Sequence, residues 1–158
     1  MSEYNKQDID FVKRTVEILE FYEKLDLEKF KKYEVTLFIN CLTGLLIIPK
    51  QVLFERLKNL DTCIDTWGIS KDQIICELTN PTVGYVAEHL RNAVAHYRFE
   101  LISKTGEIQE IQFCDKKNSK AKKCNFIAII PISNLRKFIH HLVKYYLNEM
   151  GKSAHGNA

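Results

Sequence analysis

Three side chains in the second half of the chain carry complementary chemistry at helical spacing: Arg91, Asn92 and His96. Arginine is a permanent cation that grips a phosphate through two parallel hydrogen bonds. Histidine gives or takes a proton near neutral pH. Asn92 stands one turn before His96 and can orient it, or an oxygen of a bound molecule. Together these are groups for holding a phosphate and moving a proton beside it.

They act together only if one helix presents them. Asn80-Pro81 breaks the chain, and Thr82 can cap a helix from Val83 to about Arg98. With Leu90 as reference and about 100° per residue, Val83, Val86, Val94 and Tyr97 fall within about 40°, and Ala87 within about 60°. That is a core stripe, and it assigns Tyr97 to packing. Arg91, Ala95, Glu88, Asn92, His96 and His89 follow at roughly 100°, 140°, 160°, 200°, 240° and 260°. The candidate residues therefore occupy the face away from the core. A helix needs a polar side, so solvation accounts for this face as well as function does. Ala95, small and central on it, would let a second helix approach closely. A two-fold dimer would then bring two copies of Arg91 and His96 into one cleft. The two side chains are about 140° apart, so one copy makes an incomplete site.

Supporting residues are less specific. Glu88 is spaced to pair with Arg91 at i+3, and His89 borders the same face as a neighbour. Asn40 lies with Glu34 and Thr36 on a largely apolar segment. It is either a polar group near the cleft or one satisfied within the core. Lys116, Lys117, Lys120, Lys122 and Lys123 form a basic loop that either tracks a nucleic-acid backbone or is merely solvated. His140 and His141 are expected at the surface or rim. There is no H-E-x-x-H helix and no clustered Asp/Glu set, so no metal and no cofactor is expected.

The elements that must position these groups are mostly helical. A first helix runs from about Asp8 to Leu25, with Ile9, Val12, Val16, Leu19 and Tyr22 at helical spacing and Asp8 as its cap. Glu28 to Lys32 is a charged link. Tyr33 to Ile48 is nearly all apolar; its length favours a buried helix, while Val35 to Ile39 also suits a strand. Pro49 ends it. Lys50 to Ile64 forms a helix with Leu53, Leu57, Leu60 and Ile64 on one face, Trp67-Gly68 a turn, and Ser70 caps a short helix through Glu77. After the central helix, Phe99 to Ser103, Ile108 to Phe113 and Cys124 to Ile130 are expected as strands, the first two joined by Lys104-Thr105-Gly106-Glu107. Pro131 stops the third, and Ser133 caps a last helix to about Asn148, with Leu135, Phe138, Ile139, Leu142 and Tyr146 as its stripe. The fold class is mainly α: an antiparallel helical bundle with a small antiparallel β-sheet inserted before the last helix.

Composition sets the bounds. The 158 residues suffice for one compact domain, expected over residues 1–150, with Gly151 to Ala158 as a frayed tail. Hydrophobic residues at 46% allow a sizeable core, and a net charge of +3 neither demands nor opposes a nucleic-acid partner. The five cysteines are odd in number and form no C-x-x-C pair. Reduced thiols and a cytoplasmic setting are the simplest reading. Cys114 and Cys124 can face each other across two strands, but burial as small apolar residues is the expectation. Met1 to Asp10 is polar and unlike a secretory leader, and Leu42 to Ile48 is far too short to cross a bilayer.

The string Arg91-Asn92-Ala93-Val94-Ala95-His96 resembles the signature of HEPN domains: an arginine, a polar residue, a few variable positions and a histidine, late in a helical bundle. Phe11 to Leu19 and Tyr33 to Leu37 are similar to a bacterial and plasmid-borne, nuclease-like subfamily, so the resemblance covers about Asp8 to Leu147. The strands depart from the minimal bundle. The resemblance implies a metal-independent endoribonuclease, a toxin or defence component, working as a homodimer on RNA. His96 would act as acid or base around the ribose 2′-hydroxyl, Arg91 would stabilise charge on the phosphate, and Asn92 would position groups. The product would carry a 2′,3′-cyclic phosphate. The alternative is a non-catalytic module of the same family that binds a nucleotide or a protein partner such as an antitoxin.

Overall fold

A computed structural model describes residues 7–25, 33–47, 51–104 and 106–155. The charged link Glu28 to Lys32, the stop at Pro49 and the turn residue Thr105 lie outside the described residues. Five α-helices are described: α1 Gln7–Lys24, α2 Glu34–Ile47, α3 Gln51–Lys58, α4 Val83–Ala95 and α5 Ile132–His155. Four strands accompany them: β1 Ile74–Ile75, β2 Phe99–Lys104, β3 Glu107–Asp115 and β4 Phe126–Pro131. The fold is a mainly α bundle carrying one small antiparallel sheet in the order β1-β4-β3-β2.

The apolar periodicities converge on one core. On α4, Val83, Val86, Ala87 and Leu90 are fully buried. On α5 the whole stripe Leu135, Phe138, Ile139, Leu142 and Tyr146 is buried. Alternate residues of the sheet close the core from one side: Ile111 and Phe113 of β3, and Phe126, Ala128 and Ile130 of β4. The helix–strand ambiguity of the second apolar run resolves to helix. Leu42, Leu45 and Leu46 of α2 are all fully buried, a grouping that a helix face can supply and a single strand face cannot. No helix among the described residues is long and apolar enough to cross a membrane.

Asp8, expected as a cap, lies within α1, and four elements differ further from the sequence expectation. The helix expected to reach Ile64 stops at Lys58, because the following backbone is used elsewhere. Val83 N–H donates to the Thr62 carbonyl at 2.7 Å, Gly84 N–H to Leu60 at 3.2 Å, and Ile64 N–H to Pro81 at 3.2 Å. The segment after Ser70 is not a helix to Glu77. Ser70 caps one 3-10 turn, Lys71–Gln73, and Ile74–Ile75 then joins the sheet beside β4. The central helix ends at Ala95, not near Arg98. The last helix starts at Ile132, so Ser133 lies within it, and it continues to His155 through part of the expected tail. Met150 is buried and Lys152 reaches back to Glu149 at 2.7 Å, which supports those extra turns. Residues 156–158 lie outside the described residues.

One packing contact fixes where α4 begins. A Cβ placed on Gly84 would stand 2.0 Å from the Lys58 carbonyl oxygen and 2.8 Å from that of Leu57. Only glycine lets the start of α4 rest on the end of α3. Gly84→Ala should therefore cost about 3 kcal/mol as an overpacking defect against backbone, a fall in melting temperature of roughly 6–12 °C. A thermal melt within about 1 °C of the native chain would contradict this close approach.

Candidate active site

Helix α4 is held at both ends. At its entrance the Thr82 hydroxyl accepts from Tyr85 N–H at 3.2 Å, as the sequence predicts. At its exit His96 is the C-cap residue, with φ −101° and ψ 10°. Tyr97 follows with φ 53°, the one non-glycine residue of positive φ among those described. Tyr97 N–H donates to Val94 O at 3.1 Å and Arg98 N–H to Ala93 O at 2.8 Å. These two bonds are the Schellman ending of a helix, and tyrosine fills the left-handed position usually given to glycine. The chain leaves directly into the sheet, where the Arg98 carbonyl accepts from Cys114 N–H at 2.9 Å.

This early ending changes the angular picture beyond Ala95. Tyr97, expected on the core stripe, is 81% exposed. The per-residue rotation of a helix stops applying where the backbone turns left-handed. His96 is exposed, as expected.

The remaining candidates divide between two sides of α4. Toward α3, the Arg91 guanidinium lies 4.0 Å from the centre of the Phe54 ring, a cation–π contact that leaves the side chain half-buried, not fully in solvent. Glu88 does not pair with Arg91. Its carboxylate meets Lys58 Nζ at 2.8 Å across the α3–α4 contact, and this bond and charge raise the lysine above its ordinary pKa. Sequence spacing along one helix could not reveal a competitor arriving from another.

Toward the sheet, His89 and Asn92 converge on Asp115, the last residue of β3 and only 3% exposed. Asn92 Nδ2 donates to Asp115 Oδ2 at 2.9 Å. His89 Nδ1 stands 2.7 Å from the same oxygen. A carboxylate only accepts, so His89 carries its proton on Nδ1. The other oxygen, Oδ1, accepts from Lys116 N–H at 2.8 Å and faces Arg98 Nη1 at 3.6 Å. The His89 ring stacks on Phe126 at 4.6 Å and meets the edge of Tyr85 at 4.4 Å. Burial of a lone carboxylate is expensive, and this circle of donors compensates it.

Asp115 and Arg98 were not singled out by sequence reasoning. The signal for Asp115 was present: Ile111, Phe113 and Asp115 share one strand face, and a carboxylate at an inward position demands partners. A strand expected to end at Phe113 leaves Asp115 outside it and hides that parity.

Other expectations resolve as follows. Asn40 is exposed on α2 and is not a polar group of the core. His141 stacks on Trp67 at 5.8 Å, and His140 is half-buried. Cys114 and Cys124 are not buried thiols: they form a disulfide that closes the basic loop. The paired strand ends bring their Cα atoms to 5.8 Å, within bonding reach. Cys41, Cys63 and Cys76 remain thiols, and burial pushes that of Cys41 up to about 11. Lys117, Lys120, Lys122 and Lys123 are exposed on the closed loop, while Lys116 at its root is half-buried. Lys116 also lines a pocket of about 220 Å³ with Tyr97, Arg98, Phe99, Glu100, Gln112 and Cys114. The root of the basic loop and the residues following His96 thus share one concavity.

Compared with known protein families, residues 1–153 match the family described as HEPN pEK499 p136. Neither a search of curated proteins nor a search of solved structures finds a match.

Proposed function

Because the chain belongs to the HEPN pEK499 p136 family, we propose that it is a metal-independent endoribonuclease whose site is completed by a second copy of itself. The observation that carries this reading is the division of labour on α4. Arg91 is held toward α3 over Phe54, while His96 stands exposed at the far end of the helix. A cation and an imidazole so separated serve one phosphodiester best when each works with its counterpart from a two-fold partner. His96 takes the 2′-hydroxyl proton or supplies one to the leaving oxygen, and Arg91 stabilises the charge that builds on the phosphate. Asn92, anchored to Asp115, acts by fixing the helix relative to the sheet. The lysines of the closed loop hold the RNA backbone electrostatically. The product is a 2′,3′-cyclic phosphate, and the role is that of a toxin or defence component.

The test is complementation in EDTA. Arg91→Ala and His96→Ala proteins, each inactive alone, are mixed, allowed to exchange subunits and given RNA. If each site takes Arg91 from one copy and His96 from the other, statistical mixing restores about a quarter of the native sites. No recovery, in a mixture verified to exchange, would place both groups within one copy or remove them from catalysis. Equal cleavage by the native protein and both variants would mark a contaminating nuclease.

The engagement of Asn92 by Asp115 favours a second reading, in which the same face binds a nucleotide or a neighbour-encoded antitoxin without cleaving. Tight binding with no cleavage product under any condition tried would support it.

A further inference from the structure

Tyr97 occupies a position that its own backbone chemistry opposes. The left-handed residue after a helix C-cap is usually glycine, because a Cβ there crowds the following carbonyl. The ring gains little packing in return: it is 81% exposed and meets the edge of Phe99 at 4.8 Å. A bulky residue at positive φ, with its aromatic face in solvent, calls for a use outside the fold.

The surroundings identify that use. Tyr97 lines the 220 Å³ pocket with Arg98 and Lys116, and the lining also includes Glu100 and Gln112 from paired positions of β2 and β3. The pocket is smaller than the ~300–1,000 Å³ typical for a whole small-molecule ligand; it suits a single planar ring system. An exposed aromatic face stacks on a base, the Lys116 ammonium can meet a phosphate, and an amide and a carboxylate can meet polar base edges. The lining begins at the residue immediately after His96. We propose that this pocket, which begins beside His96, receives an unpaired nucleobase of single-stranded RNA, with Tyr97 as the stacking platform. The proposal rests on the ribonuclease reading for its polymer, but it concerns binding alone.

The test uses Tyr97→Gly and Tyr97→Phe with a 2′-O-methylated oligoadenylate, which cannot be cleaved through its 2′-oxygen, and an abasic backbone of equal length. Tyr97→Gly should raise the melting temperature by about 2–4 °C, because glycine relieves the left-handed strain. The same variant should weaken oligoadenylate binding about tenfold or more, the range for a lost base–aromatic stack. Tyr97→Phe should bind as the native chain does, and neither variant should change binding of the abasic backbone. Three results would overturn the proposal: unchanged oligoadenylate affinity in Tyr97→Gly, an equal loss for the abasic backbone, or no binding of oligoadenylate by the native chain. A lowered melting temperature would show that the ring serves the fold and would equally overturn it. Tyr97-dependent binding by a protein that never cleaves RNA would strike the catalytic reading and leave this one standing.

Discussion

Replacing His96 with alanine should reduce RNA cleavage by about 10²–10⁴-fold, the usual contribution of a positioned acid or base. The residue suits a clean test. It is exposed, and its structural work at the helix end is done by its backbone N–H, which donates to Asn92 O at 3.1 Å and survives the substitution. The fold should not register the change: an exposed side chain away from special contacts is worth within about 0.5 kcal/mol. Single-turnover cleavage in EDTA and a thermal melt, run on the same preparation, separate the two readouts. Lost cleavage with an unchanged melt supports a chemical role. Native rates in the variant would remove His96 from the mechanism.

The second large effect falls on stability. Asp115→Asn preserves shape but turns one oxygen into a donor. Oδ2 now accepts from Asn92 and stands against His89 Nδ1, while Oδ1 accepts from Lys116 N–H and faces Arg98. Whichever way the amide is oriented, its NH₂ confronts donors in a nearly closed site. Loss of the charge and the clash together should cost about 3 kcal/mol, or roughly 6–12 °C in melting temperature. Chemical denaturation would show the same loss as a lower midpoint with an unchanged slope. A variant as stable as the native chain would mean that the network holds no more than water would. Double substitution with Asn92→Ala would then identify the coupled part: a combined loss smaller than the sum of the two single losses is expected for side chains sharing one hydrogen bond.

Much of this architecture could be read directly from residue patterns. The helical stripes of α1, α4 and α5, the Thr82 cap and three of the four strands follow from local periodicity and breaker residues. What escaped reading depends on partners distant along the chain. The helix ending at Lys58 is set by backbone bonds to Pro81, Val83 and Gly84. The two-residue strand β1 exists only because β4 pairs with it. The pairing of Glu88 with Lys58 in place of Arg91 is again a contact between helices. The angular map of α4 holds through Ala95 and fails at Tyr97, where one left-handed residue redirects the chain. Asp115 is the instructive miss at the candidate site. Its strand parity was visible, but its meaning depended on knowing that β3 ends beside His89 and Asn92.

The restraint of α4 has a mechanical consequence. Its first turn is seated on the carbonyls of α3 through Gly84, and its exit is stitched into the sheet through the Arg98 carbonyl. It behaves as a beam clamped at both ends, unable to pivot without carrying bundle and sheet along. Whatever adjustment a bound molecule requires must come from parts that are not clamped, chiefly the lysine-bearing loop. Even that loop is cinched at its base by the Cys114–Cys124 bridge. The groups on the beam keep their spacing, and accommodation is left to the fringe.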